Sequence, residues 1–430
     1  MKEHMLIKNA HIITGSDVDY EDGCLLVKGG VIEYVGHKGG LPECGNAYIV
    51  DAKGGVVMPG FVNAHTHLPM TLMRSIADDM QLSSWLNDCI WPMEEKMNAE
   101  DAYWGSMLAI AEMVRGGVTA VNDQYFFMPA VAAAVRDGGI RGILARGLSD
   151  FALGGKEKLQ EAADFHSEWD GAANGRIKVA MGPHAEYTCS AGFLEMIAEK
   201  ANELNCLLHM HISETASEHA ECIERHGMTP TAFLKAAGGL NSRALLAHCV
   251  HVSDEDMDII AEAGASVLHC PDSNMKLGSG IARVYEMLSK GINVCIGTDG
   301  AASNNDLDLW NEMQKAAFLQ KAVRRDAAVV PVEQAINMAT LNGSAALRLR
   351  SGALKKGNAA DFIVIDTLKP HYYPRADIKG HIVYCGKSPD VSMTVVAGKV
   401  LYENGEYKNM DIEEVLVKAE QSALRIRGRL

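Results

Sequence analysis

The chain has 430 residues, of which 48% are hydrophobic and 22% charged, with a formal net charge of -15. That is apolar material for roughly two to three domains of ordinary size, or one large barrel with an appendage, and it excludes a disordered chain. So acidic a surface repels phosphate backbones and anionic lipid, so neither nucleic acid nor a membrane is an expected partner.

Met1 to Lys8 carry no apolar run of signal-peptide length, and no later stretch approaches the ~20 apolar residues of a membrane span. The 10 cysteines are scattered without a C-x-x-C pair, and Cys206, Cys249 and Cys295 sit within apolar runs. Reduced thiols in a reducing, cytoplasmic compartment are expected. The first ~57 residues alternate β-rich runs with turns: Met5 to Thr14, Cys24 to Lys28 and Val31 to Val35, with Gly29-Gly30 marking a tight hairpin. Phe362 to Asp366, Val391 to Ala397 and Val400 to Tyr402 show the same pattern near the other end. One small β-sandwich domain formed by both chain ends, residues 1–57 and 353–430, is expected, with helical spacing from Ile412 to Arg427.

Between them, residues 58–352 alternate short apolar strands with amphipathic helices. One helix spans Ala99 to Arg115, with Asn98 as N-cap, Glu100 and Asp101 at the positive end of its dipole and Gly116-Gly117 as stop. Another spans Ala191 to Leu204 behind Ser190, with Phe193, Leu194, Ile197, Ala201 and Leu204 on one face. Strands are expected at Phe61 to Ala64, Ala120 to Asn122, Ile143 to Ala145, Lys178 to Met181, Leu207 to His211, Ala244 to His248, Ser266 to His269 and Asn293 to Gly297. Strands and helices in such alternation close most simply into a TIM-like (β/α)8 barrel, with a doubly wound open sheet as the alternative.

The ionisable residues fall at the C-terminal ends of these strands, which in a barrel open onto one mouth. His65 and His67 alternate at the end of the first strand, so both rings face one side. A single His-x-His pair does not establish a metal site. The fifth strand offers His209 and His211; His211 is nearer the mouth and is the better ligand, whereas His209 reads as a bonded interior histidine. Glu214 opens the following loop. His248 ends the sixth strand, His269 the seventh, the latter in a supporting role. Asp299, after the eighth, could cap the next helix, but its flanking glycines argue for close approach of backbone or ligand. Three imidazoles and a carboxylate make a nitrogen/oxygen site for one divalent ion with room for water. Zinc fits best, and iron or manganese also suits these ligands. There is no Walker loop, dinucleotide fingerprint, H-E-x-x-H or G-x-S-x-G.

These segments together resemble the amidohydrolase superfamily over essentially the whole chain, and most nearly its branch of 5'-methylthioadenosine/S-adenosylhomocysteine deaminases. The resemblance is carried by Met58-Pro59-Gly60-Phe61-Val62-Asn63-Ala64-His65-Thr66-His67, Gly182-Pro183-His184, His211-Ile212-Ser213-Glu214-Thr215, Ala247-His248-Cys249-Val250-His251 and the run from Gly297 to Asn305. It implies a single ion on His65, His67, His211 and Asp299. Binuclear members add a bridging lysine or glutamate where this chain has Gly182-Pro183-His184. It implies Glu214, His248 and Asp299 as catalytic groups, and substrate contacts from Glu94, Arg146, His184, Glu214 and Ser303. Glu94 is otherwise a solvated loop acid. Trp85 is an apolar wall for the base or thioether tail, or a core tryptophan at helical spacing from Leu82. Arg74 either lines the mouth or pairs with Asp78 one helical turn on.

Family members that accept S-adenosylhomocysteine carry a second arginine twelve residues past the first; here that position is Lys158, which keeps the charge and loses the bidentate geometry. The implied activity is hydrolytic deamination of 5'-methylthioadenosine, S-adenosylhomocysteine, 5'-deoxyadenosine or adenosine. The alternatives are another aminohydrolase of the branch, acting on guanine, a pterin or a triazine, or an inactive scaffold barrel. Large barrels often form homo-oligomers; the sequence locates no interface.

Overall fold

The computed structural model describes residues 4–16, 18–151 and 154–428. Its centre is an eight-stranded parallel sheet rolled into a nearly closed barrel. The strands are β1 (Phe61–Thr66), β2 (Val118–Tyr125), β3 (Arg141–Leu148), β4 (Ile177–Pro183), β5 (Leu208–Ile212), β6 (Ala244–His248), β7 (Ser266–His269) and β8 (Asn293–Ile296). All eight coincide with apolar runs predicted from the sequence, several extended by a few residues. Each is buried on both faces because helices cover the outside, as a parallel sheet requires. Inside, small side chains such as Val62, Ala64, Ala120, Ala145 and Ala180 pack with Leu245 and Leu268.

The seam between β8 and β1 is closed just past the strand ends. The Asp299 amide donates to the His65 carbonyl at 2.9 Å, and Thr66 bridges to Asp299 in parallel register. Asn63 and Thr298 stitch the same seam with side-chain bonds of 2.7 and 3.1 Å. Gly297 lies against this join: a Cβ there would stand 2.7 Å from the His65 amide nitrogen. The glycine is therefore needed for close approach of backbone.

Helix α1 (Ala99–Arg115) begins with a capping box between Asn98 and Asp101, and α2 (Ala191–Glu203) with the Ser190 hydroxyl accepting from the Phe193 amide. The two chain ends share a second sheet. Val56–Pro59 pairs antiparallel with Phe362–Ile365 and parallel with His4–Ile12. Tyr20–Lys28 and Val31–His37 continue it on one side, and Val391–Val396 and Lys399–Glu403 on the other. Gly29 and Gly30 turn the hairpin with φ of 56° and 81°. Met58 and Pro59 pair in this sheet, and Gly60 separates them from β1. Among the described residues no helix is long and apolar enough to cross a membrane, and all 10 cysteines are free thiols.

Candidate active site

At the C-terminal mouth of the barrel the ends of β1, β5, β6 and β8 bring His65, His67, His211, His248 and Asp299 together. Ligand atoms of His65, His67 and His211 lie within 4.8 Å of one another, as do those of His65, His248 and Asp299. Each ring is held by its Nδ1. His67 Nδ1 is 2.5 Å from the Gln124 carbonyl, and His211 Nδ1 is 2.8 Å from that of His184. His65 Nδ1 is 2.8 Å from His209 Nε2, and His248 Nδ1 is 2.8 Å from Asn274 Oδ1. All four rings therefore turn Nε2 inward. Asp299 Oδ1 lies 3.3 Å from His65 Nε2 and 3.2 Å from His67 Nε2.

Electrostatics separate the rings. Burial drives the pKa of His65 down to about 4, and that of His211 well below the ordinary value. Burial opposes charge on His67 too, but the Asp299 carboxylate outweighs it and raises its pKa to about 9. Asp299, despite burial, is held well below the ordinary carboxylate range by His65 and His67. His65 Nε2 is completely buried and has no hydrogen-bond partner among the described residues. Buried imidazole nitrogens around an ionised carboxylate, with His65 and His211 neutral and the His67 proton held by Asp299 there to be displaced, fit a divalent cation.

Asp299 Oδ2 accepts hydroxyls from Ser273 at 2.6 Å and Ser303 at 2.7 Å. Ser303 thus braces the aspartate instead of lining the pocket. Behind both loops the fully buried Glu312, on α4 (Leu309–Arg324), accepts from the Asp272 amide and from Asn304 Nδ2.

Glu214 is 7% exposed, and its Oε2 stands 3.8 Å from His248 Nε2. Burial raises its pKa, against the pull of His248. For His248 the balance reverses: burial disfavours charge, yet Glu214 and Asp299 raise the pKa above the ordinary value. The loop bearing Glu214 is locked by a capping box on α3 (Ala216–His226). The Glu218 carboxylate accepts from the amides of Ser213 and Glu214, at 3.0 and 2.6 Å. Ser213, His248, Cys249 and Asp299 all adopt positive φ, between 50° and 68°. Left-handed non-glycine backbone costs of order 1–3 kcal/mol per residue and gathers where side chains must be aimed.

Above the cluster opens a pocket of about 370 Å³, walled by Trp85, Leu86, Tyr125, Phe126, Phe151 and Leu277. Trp85 is both wall and core, 4% exposed, and its buried indole N–H has no hydrogen-bond partner among the described residues. Glu94 lines the pocket, and burial raises its carboxyl to about 7 against a hydrogen bond from Tyr125. His184 also lines it, neutral because burial lowers its pKa to about 4. Arg146 stands outside the lining, bonded to Glu161 at 2.8 and 3.1 Å and to the Gly147 carbonyl. Lys158 donates to the Ser149 carbonyl at 3.1 Å. Arg74 pairs with Glu112, while Asp78 takes Lys276 at 2.7 Å, so the expected Arg74–Asp78 pair does not form.

The residues that sequence reasoning passed over are the supports: Asn122, Gln124, Glu218, Ser273, Asn274 and Glu312. Only Glu218 had a readable signal, the spacing Thr215-x-x-Glu218 of a capping box.

With this geometry in place, the comparisons with known proteins are specific. Residues 56–401 match the pattern of the Amidohydrolase family. The chain is 42% identical over 430 residues to a 5-methylthioadenosine/S-adenosylhomocysteine deaminase of Pelotomaculum thermopropionicum, covering 99% of each. It is 43% identical over 431 residues to a 5'-deoxyadenosine deaminase of Methanosarcina mazei, covering 99% of each. The structure superposes with a TM-score of 0.94 on an adenosine deaminase from Xanthomonas campestris with bound zinc, at 34% identity over 99% of this chain and 98% of that one. The chain therefore belongs to the amidohydrolase family. Within it, the chain is a hydrolytic aminohydrolase.

Proposed function

We propose that the protein deaminates an adenosine-type nucleoside to the inosine analogue and ammonia. The observation that carries this reading is the buried Glu214 carboxyl, 3.8 Å from His248 beside the imidazole–aspartate cluster, at the floor of a nucleoside-sized pocket.

His65, His67, His211 and Asp299 would hold one divalent ion, with zinc favoured by the nitrogen-rich donor set. When bound, such an ion supplies a water acidic enough to ionise near neutral pH. Everything else is work for the side chains. Asp299 and His248 face the same space: the Asp299 carboxylate takes up the proton that the attacking water loses, and His248 polarises and orients that water. Addition at C6 of the purine pushes an electron pair onto N1. Glu214, whose burial keeps it protonated to higher pH than a free carboxyl, delivers a proton there. The amino group leaves as ammonia after receiving the proton that Asp299 accepted, while the C6 hydroxyl gives its proton to Glu214 and becomes the carbonyl, restoring both groups. Glu94, once ionised, accepts from two ribose hydroxyls, and the unpartnered Trp85 N–H offers a donor to the base. His184 stands toward the outer part of the nucleoside, whereas Arg146 lies outside the lining. In this reading residues 58–352 carry the catalysis, the chain ends brace it, and the free thiols suit a reducing cytoplasm.

Zinc-loaded protein mixed with 5'-methylthioadenosine should release ammonia in step with the adenine-to-hypoxanthine absorbance change. A folded, metal-loaded sample inert on every adenosine offered would overturn the proposal.

A further inference from the structure

Asp299, His248 and Glu214 each meet a polar side chain from one short segment, the helix Pro271–Lys276 after β7 and the turn behind it. Ser273 Oγ donates to Asp299 Oδ2 at 2.6 Å, and Asn274 Oδ1 accepts from His248 Nδ1 at 2.8 Å. Ser279 Oγ lies 3.5 Å from Glu214 Oε1. The serine is buried, and Gly278 and Gly280 flank it with φ of 68° and 126°, so the backbone bends sharply on both sides of it. His251, three residues past His248, pins this turn. Its amide donates to the Ser213 carbonyl at 3.0 Å and its Nε2 to the Ser279 carbonyl at 2.7 Å. The loops bearing Glu214 and Ser279 are thereby tied to each other.

Among the described residues Ser279 is the only side chain that hydrogen-bonds the Glu214 carboxyl; His248 Nε2 stands 3.8 Å from the other oxygen, Oε2. The Glu218 bonds hold the backbone around Glu214 and leave its carboxyl free to turn. A hydroxyl that donates to Oε1 keeps that oxygen an acceptor whether the carboxyl is ionised or protonated, so the transferable proton stays on Oε2. The separation is long for such a bond, as catalytic hydrogen bonds often are before substrate tightens them.

We propose that Ser279 is a positioning residue for the proton transfer: by holding Oε1 of Glu214 it turns Oε2 toward N1 of the purine. Ser279 lies outside the pocket lining and acts through Glu214. The role rests on the reading of Glu214 as the acid of an adenosine-type deaminase.

The test is a double-mutant cycle on the zinc-loaded enzyme with 5'-methylthioadenosine: the unaltered chain, Ser279→Ala, Glu214→Gln and the two combined. Ser279→Ala should lower kcat about tenfold or more, the scale of a hydrogen bond to a charged group, with KM within about twofold. The same substitution made in Glu214→Gln should change kcat by less than about twofold, because the group it positions no longer transfers a proton. Zinc content should stay at one ion per chain throughout. Full kcat in Ser279→Ala overturns the proposal and leaves the deaminase reading standing. Equal losses with and without the Glu214 carboxyl overturn it too, since Ser279 would then act on the fold or the ion instead of on Glu214. An unaltered enzyme inert on every adenosine offered sinks the deaminase reading itself, and the role of Ser279 with it.

Discussion

His209 Nε2 lies 2.8 Å from His65 Nδ1, and Asn122 holds the far nitrogen of His209 at 3.2 Å. An interior histidine thus fixes the orientation of one facing the mouth. Loss of such a support typically weakens a metal site by about 10–100-fold. His209→Ala should therefore lower zinc affinity by about that factor in a competition titration with a chelating dye, with the fold retained by circular dichroism. Unchanged affinity would mean that His65 needs no such brace.

Glu214 is aimed by the amide bonds of its loop, and burial raises its pKa. Glu214→Gln keeps its size and removes the transferable proton. Rate losses for positioned acids run about 10²–10⁴-fold. The variant should lose kcat on that scale and still bind one zinc ion. Retention of more than about a tenth of kcat would assign the proton transfer elsewhere.

Glu94 supplies the pH dependence. Burial raises its carboxyl to about 7 in the nucleoside-free protein. Only the ionised form accepts from both ribose hydroxyls, so binding should weaken as pH falls through 7, by about tenfold per unit. Calorimetric titration with the inosine product from pH 5.5 to 8 would show it, and Glu94→Gln should flatten the curve. A flat profile in the unaltered protein contradicts the assigned role.

Ser303 bonds Asp299 Oδ2 at 2.7 Å, next to the bond from Ser273. Ser303→Ala should loosen the aspartate, lowering zinc affinity severalfold and kcat with it, while KM stays within about twofold. A rise in KM at full zinc affinity would restore the direct substrate contact implied by the sequence resemblance.

The strands and mouth histidines were legible because each depends on local pattern: an apolar run of strand length, then ring-bearing residues at spacing two. Asn98 and Ser190 were legible for the same reason, since a cap acts within three residues. The supports were not. Asn274 reaches His248 across 26 positions, and Asn63 meets Thr298 across 235, so only the closed barrel makes either pair. The Arg74–Glu112 bridge belongs to the same class: Asp78 stands at helical spacing, but the 3-10 turn ends at Met73 and no helix spans residues 74–78 to align the pair. Arg146 was legible as a strand-end cation; its capture by Glu161 fifteen residues on was not.

The proposed chemistry needs one ion at the seam where Asp299 closes the barrel onto β1. Anomalous diffraction at the zinc edge from crystals of the zinc-loaded protein, with metal content measured by mass spectrometry, tests this most directly. One peak per chain is expected among His65, His67, His211 and Asp299, abolished in His211→Ala. No stoichiometric metal in a folded sample, or a peak away from those four side chains, would contradict it.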